Sequence, residues 1–224
     1  MVPSELPEQG TLFMSSPVVT SSSRRRLIAA ASVFAVVLWS AAVVAGIQRM
    51  WSYENTPGGR LSVPAHWPGS SLVSVDRERA TLMMFVHPLC VCTRASLIEL
   101  REALDAMDRA PAVWIVLLSP KGIVQDWQEH IAVIAQRIPE AKIVTDVEGT
   151  MADMFGASTS GHVVVYDPHG ELTFSGGITE GRGHVGDNES RRHLIAALHG
   201  GDRAHDHEHP IFGCGLDDPE PRQP

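Results

Sequence analysis

The sequence predicts an α/β fold, a three-layer α/β/α sandwich with a mixed sheet, preceded by one transmembrane helix. Three observations support this prediction. An uncharged apolar run covers residues 27–47, short apolar runs alternate with helix-like periodicity from about residue 72, and a hairpin turn signal, DPHG, follows later. Alternating strands and helices favour parallel pairing, whereas a hairpin adds an antiparallel strand. With 224 residues and a 44% hydrophobic fraction, the chain can bury a core of this kind.

The apolar run LIAAASVFAVVLWSAAVVAGI at 27–47 is long enough to cross a bilayer. A helix rises about 1.5 Å per residue, and the hydrocarbon core is roughly 30 Å thick. Arg24, Arg25 and Arg26 precede the run, which predicts a cytoplasmic N-terminus and an exported remainder. A cleaved signal peptide is the alternative, but signal cores usually have only about 7–15 apolar residues. We therefore expect a single-pass protein of the inner (cytoplasmic) membrane, in contact with lipid through this helix, whose C-terminal domain lies in the periplasm or extracytoplasmic space.

Composition divides the chain into five segments. We expect a disordered cytoplasmic tail at 1–23, a membrane anchor at 24–48 and a linker rich in proline and glycine at 49–71. The α/β domain then covers 72–200, and a tail rich in histidine and acidic residues covers 201–224.

Within the domain the pattern reads β-α-β-α-β-α-β-β-α. The predicted strands are residues 81–86, 112–118, 142–145, 162–166 and 171–174. The predicted helices lie at 97–107, 127–138, 147–155 and 188–199.

The stretch HPLCVCTRAS places Cys90 and Cys92 between the first strand and the first helix of the domain. A helix N-terminus lowers the pKa of a nearby thiol and so makes it a nucleophile. Arg94 adds positive charge, and His87 could assist proton transfer. Thiols at i and i+2 do not face each other within a helix, so a disulfide between them would be strained and easily reduced. The pattern predicts a redox pair; two small core residues are the alternative.

Cys214, the third cysteine, follows a hydrophobic dipeptide in HPIFGCGLDD. Ile211 and Phe212 could dock this segment on the domain and bring Cys214 to the pair, as a resolving thiol or as a third metal ligand. A free or intermolecular cysteine on a loose tail is the alternative.

The glycine-rich segment SGGITEGRGHVGDNES, at 175–190, permits two interpretations. It is either a flexible loop capped by Asp187 or Asn188 before the last helix, or a binding loop that presents Arg182 and His184 to the thiols. It contains G-x-G-x-x-G, but a dinucleotide site is excluded because the segment follows a hairpin and no further β-α-β unit comes after it.

Metal binding is the main alternative to redox chemistry. His205, His207 and His209 share one side of the segment HDHEH if it is extended, and imidazoles together with thiols could hold copper or zinc. A chaperone or sensor would then use these histidines with Cys90, Cys92 and Cys214, whereas the redox interpretation needs no cofactor. A solvated tail is the simpler explanation of the histidines.

The sequence does not support two other functional classes, nucleic-acid-binding proteins and serine hydrolases. The net charge of -8 argues against nucleic-acid binding, which needs a basic face. There is also no G-x-S-x-G motif for serine hydrolase chemistry.

Two stretches resemble a known family. TLMMFVHPLCVCTRASLIEL resembles the active-site strand, turn and helix of thioredoxin-like proteins. TDVEGTMADMFGASTSGHVVVYDPHGEL resembles the second half of membrane-anchored members with peroxiredoxin- or TlpA-type cores, and the resemblance covers about residues 72–200. The chain is most similar to RedB-type proteins in its HP-x-C-x-C-[ST]-R turn, its FSGGIT segment and its FGC tail.

The resemblance implies a thioredoxin-like fold and thiol–disulfide exchange with a protein thiol or disulfide partner. It makes Cys90 the attacking thiol, with Cys92 or Cys214 resolving the mixed disulfide. The second cysteine comes one residue earlier than in C-x-x-C, so Thr93 stands at the usual partner position. The substrate-docking cis-proline of thioredoxins corresponds here to Gly161, followed by His162, so the resemblance makes these two residues the expected substrate-binding positions although the proline itself is absent. A non-catalytic scaffold on the same fold is a further alternative.

Overall fold

Five strands form one mixed sheet in the computed structural model, which describes residues 21–69, 72–119, 131, 133–200 and 209–216. The strands are β1 (Thr81–Val86), β2 (Ala112–Ser119), β3 (Lys142–Val147), β4 (His162–Tyr166) and β5 (Leu172–Gly176). Their order across the sheet is β3-β2-β1-β4-β5. β1 pairs in parallel with β2 and β2 with β3, whereas β4 is antiparallel to both β1 and β5. The predicted mixed sheet with a late hairpin is confirmed.

The helices within these ranges are α1 (Ser21–Asn55), α2 (Thr93–Asp105), α3 (Thr150–Met154) and α4 (Glu189–Leu198). Part of the helix predicted at 127–138 lies outside the described residues, but residues 131 and 133–135 are helical. α3 is shorter than the helix predicted at 147–155, because β3 extends to Val147 and a turn follows it.

The central strand β1 is buried on both faces, which explains why its sequence is apolar throughout instead of alternating. Leu82 and Met84 pack towards α2 and α4, in a core cluster that also contains Leu100 and Leu194. The other face of the sheet has its own cluster. It includes Met83, Phe85, Val116, Phe155 and Tyr166. Burial on both sides fixes where the C-terminal end of β1, and therefore the cysteine turn, emerges.

The predicted linker at 49–71 is packed against the domain over part of its length. The Trp67 ring meets the rings of Phe155 and Tyr166 edge-on, with centroids 5.0 and 5.3 Å apart. The hydroxyl of Tyr166 donates to the carbonyl of Pro64 at 2.9 Å. These contacts make the segment an irregular entry to the domain.

The chain divides into two compact units, with the boundary between Arg49 and Met50. The first unit consists, in its described part, of the apolar portion of α1. That helix is long and apolar enough to cross a membrane, with a mean hydropathy of 2.5 in its most apolar window. A helix of this kind near the N-terminus is a candidate for an anchor or a signal sequence.

Candidate active site

The cysteine turn connects the end of β1 to the start of α2. The N–H of Cys90 donates to the carbonyl of His87, and the N–H of Thr93 donates to the carbonyl of Cys90, each at 3.1 Å. Cys92 has helical dihedral angles at the N-cap of α2, and its carbonyl accepts the N–H of Ala95 at 3.0 Å. Cys90 therefore lies in the turn itself, and Cys92 lies at the helix start.

The described C-terminal segment, residues 209–216, brings the third thiol to this turn. The N–H of Ser160 donates to the carbonyl of Cys214 at 2.8 Å, and the N–H of Leu216 donates to the carbonyl of Ser158 at 2.9 Å. The side chains of Ile211 and Phe212 are buried. Backbone pairing and apolar docking together hold Cys214 against the loop that precedes β4.

The sulfur of Cys90 is surrounded by hydrogen-bond donors. The main-chain N–H of Cys214 donates to it at 3.4 Å, and the thiols of Cys214 and Cys92 and the hydroxyl of Thr93 donate as well. These donors hold the pKa of Cys90 far below the usual range of a thiol, although burial opposes the shift. Cys90 is only 2% exposed. Its neighbours are polar, so they stabilise the charged thiolate in spite of this burial.

The other two thiols shift in the opposite direction. Donation to Cys90 is the main cause that raises the pKa of Cys92 and of Cys214, and burial and the negative charge on Cys90 add to it. All three cysteines are free, so the cluster is in its reduced form. Cys90 holds the negative charge, and Cys92 and Cys214, which both contact its sulfur, keep their protons.

A cation, Arg182, completes the cluster. Its guanidinium bonds to the thiol of Cys92 and acts on Cys214 as well, lowering the pKa of each and partly offsetting the rise. Arg182 donates to the carbonyls of Tyr53 at 3.1 Å and Gly213 at 2.5 Å. The same group lies over the Tyr53 ring, 4.8 Å from its centroid. It therefore ties the C-terminal segment to the glycine-rich loop.

Two hydroxyl residues support the turn, Thr93 and Ser160. Their side-chain oxygens are 2.9 Å apart, and the N–H of His87 donates to the Ser160 hydroxyl at 2.9 Å. Both residues are buried. Nothing in the sequence marks Ser160, whose neighbourhood has ordinary turn composition. Thr93 carries one signal, its place at the usual position of the second thiol.

His87 and Arg94 occupy different surroundings from each other. The His87 ring is buried, and its Nδ1 accepts the N–H of Leu89 at 3.1 Å, which leaves the proton of the neutral ring on Nε2. Arg94 is exposed, and it lines a groove along α2 with Leu97 and Arg101. Their roles in catalysis stay predictions.

The predicted substrate-docking residues, Gly161 and His162, lie where the start of β4 meets the end of β1. Gly161 has φ +91°, in the left-handed region, and its N–H donates to the carbonyl of Phe85 at 2.8 Å. The ring of His162 is buried and bonded to the Ser175 hydroxyl at 3.0 Å, and burial lowers its pKa to about 3. The His162 side chain is thus part of the packed interior, while the backbone at Gly161 lies next to the cluster.

The glycine-rich loop is anchored at its end. The carboxylate of buried Glu99, on α2, accepts the N–H of Gly186 at 2.6 Å and bonds to the Arg191 guanidinium at 2.7 Å. Asn188 caps α4 by accepting the N–H of Arg191 at 2.8 Å. His184 points elsewhere, with its Nε2 3.9 Å from Glu54 Oε2. Of the two side chains predicted for this loop, Arg182 reaches the thiols.

Metal ligation has less geometric support than redox chemistry. Among the residues that the structure describes, no group of three or more His, Cys, Asp or Glu side chains is arranged to hold a metal ion. His209 is buried, with its ring stacked on Phe174 at 4.8 Å. His205 and His207 lie outside the described residues.

No protein-family model matches the chain, and no curated protein sequence matches it. Solved structures do. An uncharacterized conserved protein from Geobacillus kaustophilus is 14% identical, with a TM-score of 0.49, over 74% of this chain and 94% of its own. The exposed lipoprotein thioredoxin of Streptococcus pneumoniae is 15% identical, with a TM-score of 0.40, over 55% of this chain and 86% of its own. A secreted disulfide oxidoreductase of Mycobacterium tuberculosis is 14% identical, with a TM-score of 0.39, over 62% and 96%.

The mixed sheet, with the cysteine turn at the end of its central strand, has the thioredoxin-like architecture that the sequence predicts. The cysteine turn follows the central strand β1, and its second cysteine comes one residue earlier than in C-x-x-C. A third thiol, that of Cys214, lies beside the pair. The arrangement can supply a nucleophilic thiolate, Cys90, together with two thiols, Cys92 and Cys214, that are placed to resolve a mixed disulfide formed on it.

Proposed function

We propose that this protein is a membrane-anchored thiol–disulfide oxidoreductase of the RedB type, whose thioredoxin-like domain exchanges disulfides with proteins outside the cytoplasmic membrane. One observation carries the proposal. The sulfur of Cys90 accepts hydrogen bonds from an N–H, a hydroxyl and two thiols, so it is stabilised as a thiolate directly beside the groups that can resolve a mixed disulfide.

The chemistry follows from the proton distribution. The Cys90 thiolate attacks one sulfur of the partner disulfide, which breaks the S–S bond and releases the other sulfur as a thiolate. A neighbouring thiol, Cys92 or Cys214, then loses its proton and attacks the sulfur of Cys90. The partner's second sulfur leaves with that proton as a thiol, so two electrons and one proton pass to the partner while the protein becomes an internal disulfide. The partner sulfur released first takes its proton from solvent.

The location is supported by α1 and by the sequence around it. The apolar run of the helix, residues 27–47, is preceded by Arg24, Arg25 and Arg26, the pattern of a helix that leaves its N-terminus in the cytoplasm. Three cysteines used for exchange also fit an oxidising compartment. An anchor would keep the domain close to membrane-bound partners.

The experiment is a reductase assay on the full chain in detergent, with insulin as the disulfide substrate and dithiothreitol as electron source. Cys90→Ser should lower the rate by at least about 100-fold, because the hydroxyl is not ionised at neutral pH. Val147→Ala, at an exposed position of β3, is the matched control and should retain the full rate. A Cys90→Ser variant that works as well as the parent would end the proposal.

A further inference from the structure

Contact alone does not decide which of the two thiols, Cys92 or Cys214, forms a disulfide with Cys90. Both Cys92 and Cys214 donate to its sulfur. The two differ in exposure, since Cys92 is 5% exposed and Cys214 is only partly buried. They also differ in how the backbone holds them.

Cys92 is held by its own helix. Its dihedral angles, φ -71° and ψ -23°, are helical, and its carbonyl accepts the N–H groups of both Ala95 and Ser96. The turn hydrogen bond from Thr93 to the carbonyl of Cys90 fixes the other end. A Cys90–Cys92 disulfide would close a small ring across these bonds, and the required S–S geometry would break some of them.

Cys214 approaches from a separate segment. Its carbonyl is fixed by Ser160, and its own N–H points at the Cys90 sulfur. No helical hydrogen bond of α2 has to open for the two sulfurs to join, because the bond links two segments that already pack together.

We propose that the oxidised protein carries a Cys90–Cys214 disulfide, and that a dithiol protein of the thioredoxin class regenerates it by attacking the sulfur of Cys214. This inference rests on the proposed function and adds to it the pairing and the sulfur through which electrons enter.

The point of attack follows from two rules of disulfide exchange. The attacking thiolate must reach a sulfur, and the sulfur that leaves should be the one best stabilised as a thiolate. Cys214 is the more exposed partner, whereas Cys90 keeps the hydroxyl of Thr93 as a donor when it leaves. Arg182 lies beside Cys214 and favours the approach of a negatively charged sulfur.

The steps balance without any other reactant. The reductant's thiolate bonds to the Cys214 sulfur, the Cys90–Cys214 bond breaks, and Cys90 departs as a thiolate. The reductant's second thiol loses a proton and attacks the reductant's first sulfur. Cys214 leaves with that proton, so the reductant becomes a disulfide and the protein regains the Cys90 thiolate and the Cys214 thiol.

The first test maps the pairing. The full chain is oxidised with a slight excess of diamide, blocked with a maleimide and digested, and linked peptides are identified by mass spectrometry. We expect a Cys90–Cys214 link in the parent and in Cys92→Ser, and no internal link in Cys214→Ser. A Cys90–Cys92 link as the main product would overturn the pairing.

The second test maps the attack. The oxidised Cys92→Ser chain is mixed with a thioredoxin whose second active-site cysteine is serine, so that the mixed disulfide persists. Attachment at Cys214 in at least about tenfold excess over Cys90 is expected from their relative access. Attachment mainly at Cys90, or none at either, would refute the inference. These outcomes are distinct from failure of the proposed function, which the insulin assay with Cys90→Ser reports separately.

Discussion

The main-chain N–H of Cys214 donates to the sulfur of Cys90 at 3.4 Å, although 124 positions separate the two residues. Hydrogen bonds to an ionised acceptor are stronger than those between neutral groups, so this contact stabilises the thiolate selectively. The acidity of the candidate nucleophile therefore depends on a segment outside the strand, turn and helix that carry it.

Thr93→Val should raise the pKa of Cys90, because it removes a hydroxyl that donates to the thiolate. The Cys90 thiolate should then take up its proton at a higher pH than in the parent. The Cβ NMR shift of Cys90, followed across a pH titration, measures this. Thr93→Ser keeps a hydroxyl and should stay close to the parent; an unchanged titration in the valine variant would show that the donor is unimportant.

Gly213→Ala should separate Cys214 from Cys90. A Cβ at this position would collide with the carbonyl oxygen of Ser160, the residue whose N–H holds Cys214 in place. Displacement of the segment removes donors from the Cys90 sulfur, so the pKa of Cys90 should rise and insulin reduction should slow by about tenfold or more. Gly46→Ala is the comparison, since its φ, like that of Gly213, lies outside the left-handed region but its added Cβ meets nothing within 4 Å. Equal effects of the two substitutions would count against the role of the segment.

Arg182→Gln should slow regeneration by the reductant more than it slows attack on the substrate. The guanidinium acts on Cys92 and Cys214, and its loss leaves the approach to Cys214 without a positive charge. A decrease of about tenfold in the rate of reduction of the oxidised protein, measured by stopped flow, is expected for one lost charge–charge contact. Arg101→Gln, on the exposed side of α2, provides the control. Identical rates in the two variants would contradict the assignment.

Glu99→Gln should destabilise the domain far more than Glu102→Gln. Both carboxylates bond to Arg191, but the Glu99 side chain is fully buried and that of Glu102 is 43% exposed. Loss of a buried charge that pairs with arginine should lower the free energy of unfolding by about 3 kcal/mol, whereas an exposed pair contributes at most about 1 kcal/mol. Urea unfolding of both variants measures the difference, and similar midpoints would disprove the distinction.

His162 should make the domain less stable in acid. Burial lowers its pKa from 6.5 to about 3, so between these values the unfolded chain binds a proton that the folded chain does not. Stability from this group is thus complete above pH 6.5 and decreases as the pH falls towards 3. His162→Gln should flatten the decrease between pH 8 and pH 4 by about 3 kcal/mol, measured by urea unfolding at each pH. A variant with the same pH dependence as the parent would exclude His162 as the cause.

The strands were predictable from local sequence, because burial on both faces selects continuous apolar runs such as TLMMFV. Their order was partly predictable, since alternation implies parallel pairing and DPHG implies a hairpin. The C-terminal end of β3 was less predictable from the sequence, because the burial pattern of this strand is mixed and its last residue, Val147, is exposed.

The site was predictable only where its residues are adjacent in the chain. Cys90 and Cys92 stand out at the junction of strand and helix, but the donors to Cys90 come from tertiary contacts. The position of Arg182 beside the thiols depends on how Glu99 and Asn188 anchor a loop, and no local pattern encodes that. The Ser160 hydroxyl, likewise, becomes significant only when the loop before β4 packs against the turn.

Because residue 214 leaves the ribosome well after residue 90, Cys90 spends part of the protein's biogenesis without the group that acidifies it. During synthesis it would behave as an ordinary, mostly protonated cysteine and react slowly with other disulfides. Full reactivity would arise only on completion of folding, which protects the emerging chain from premature cross-linking.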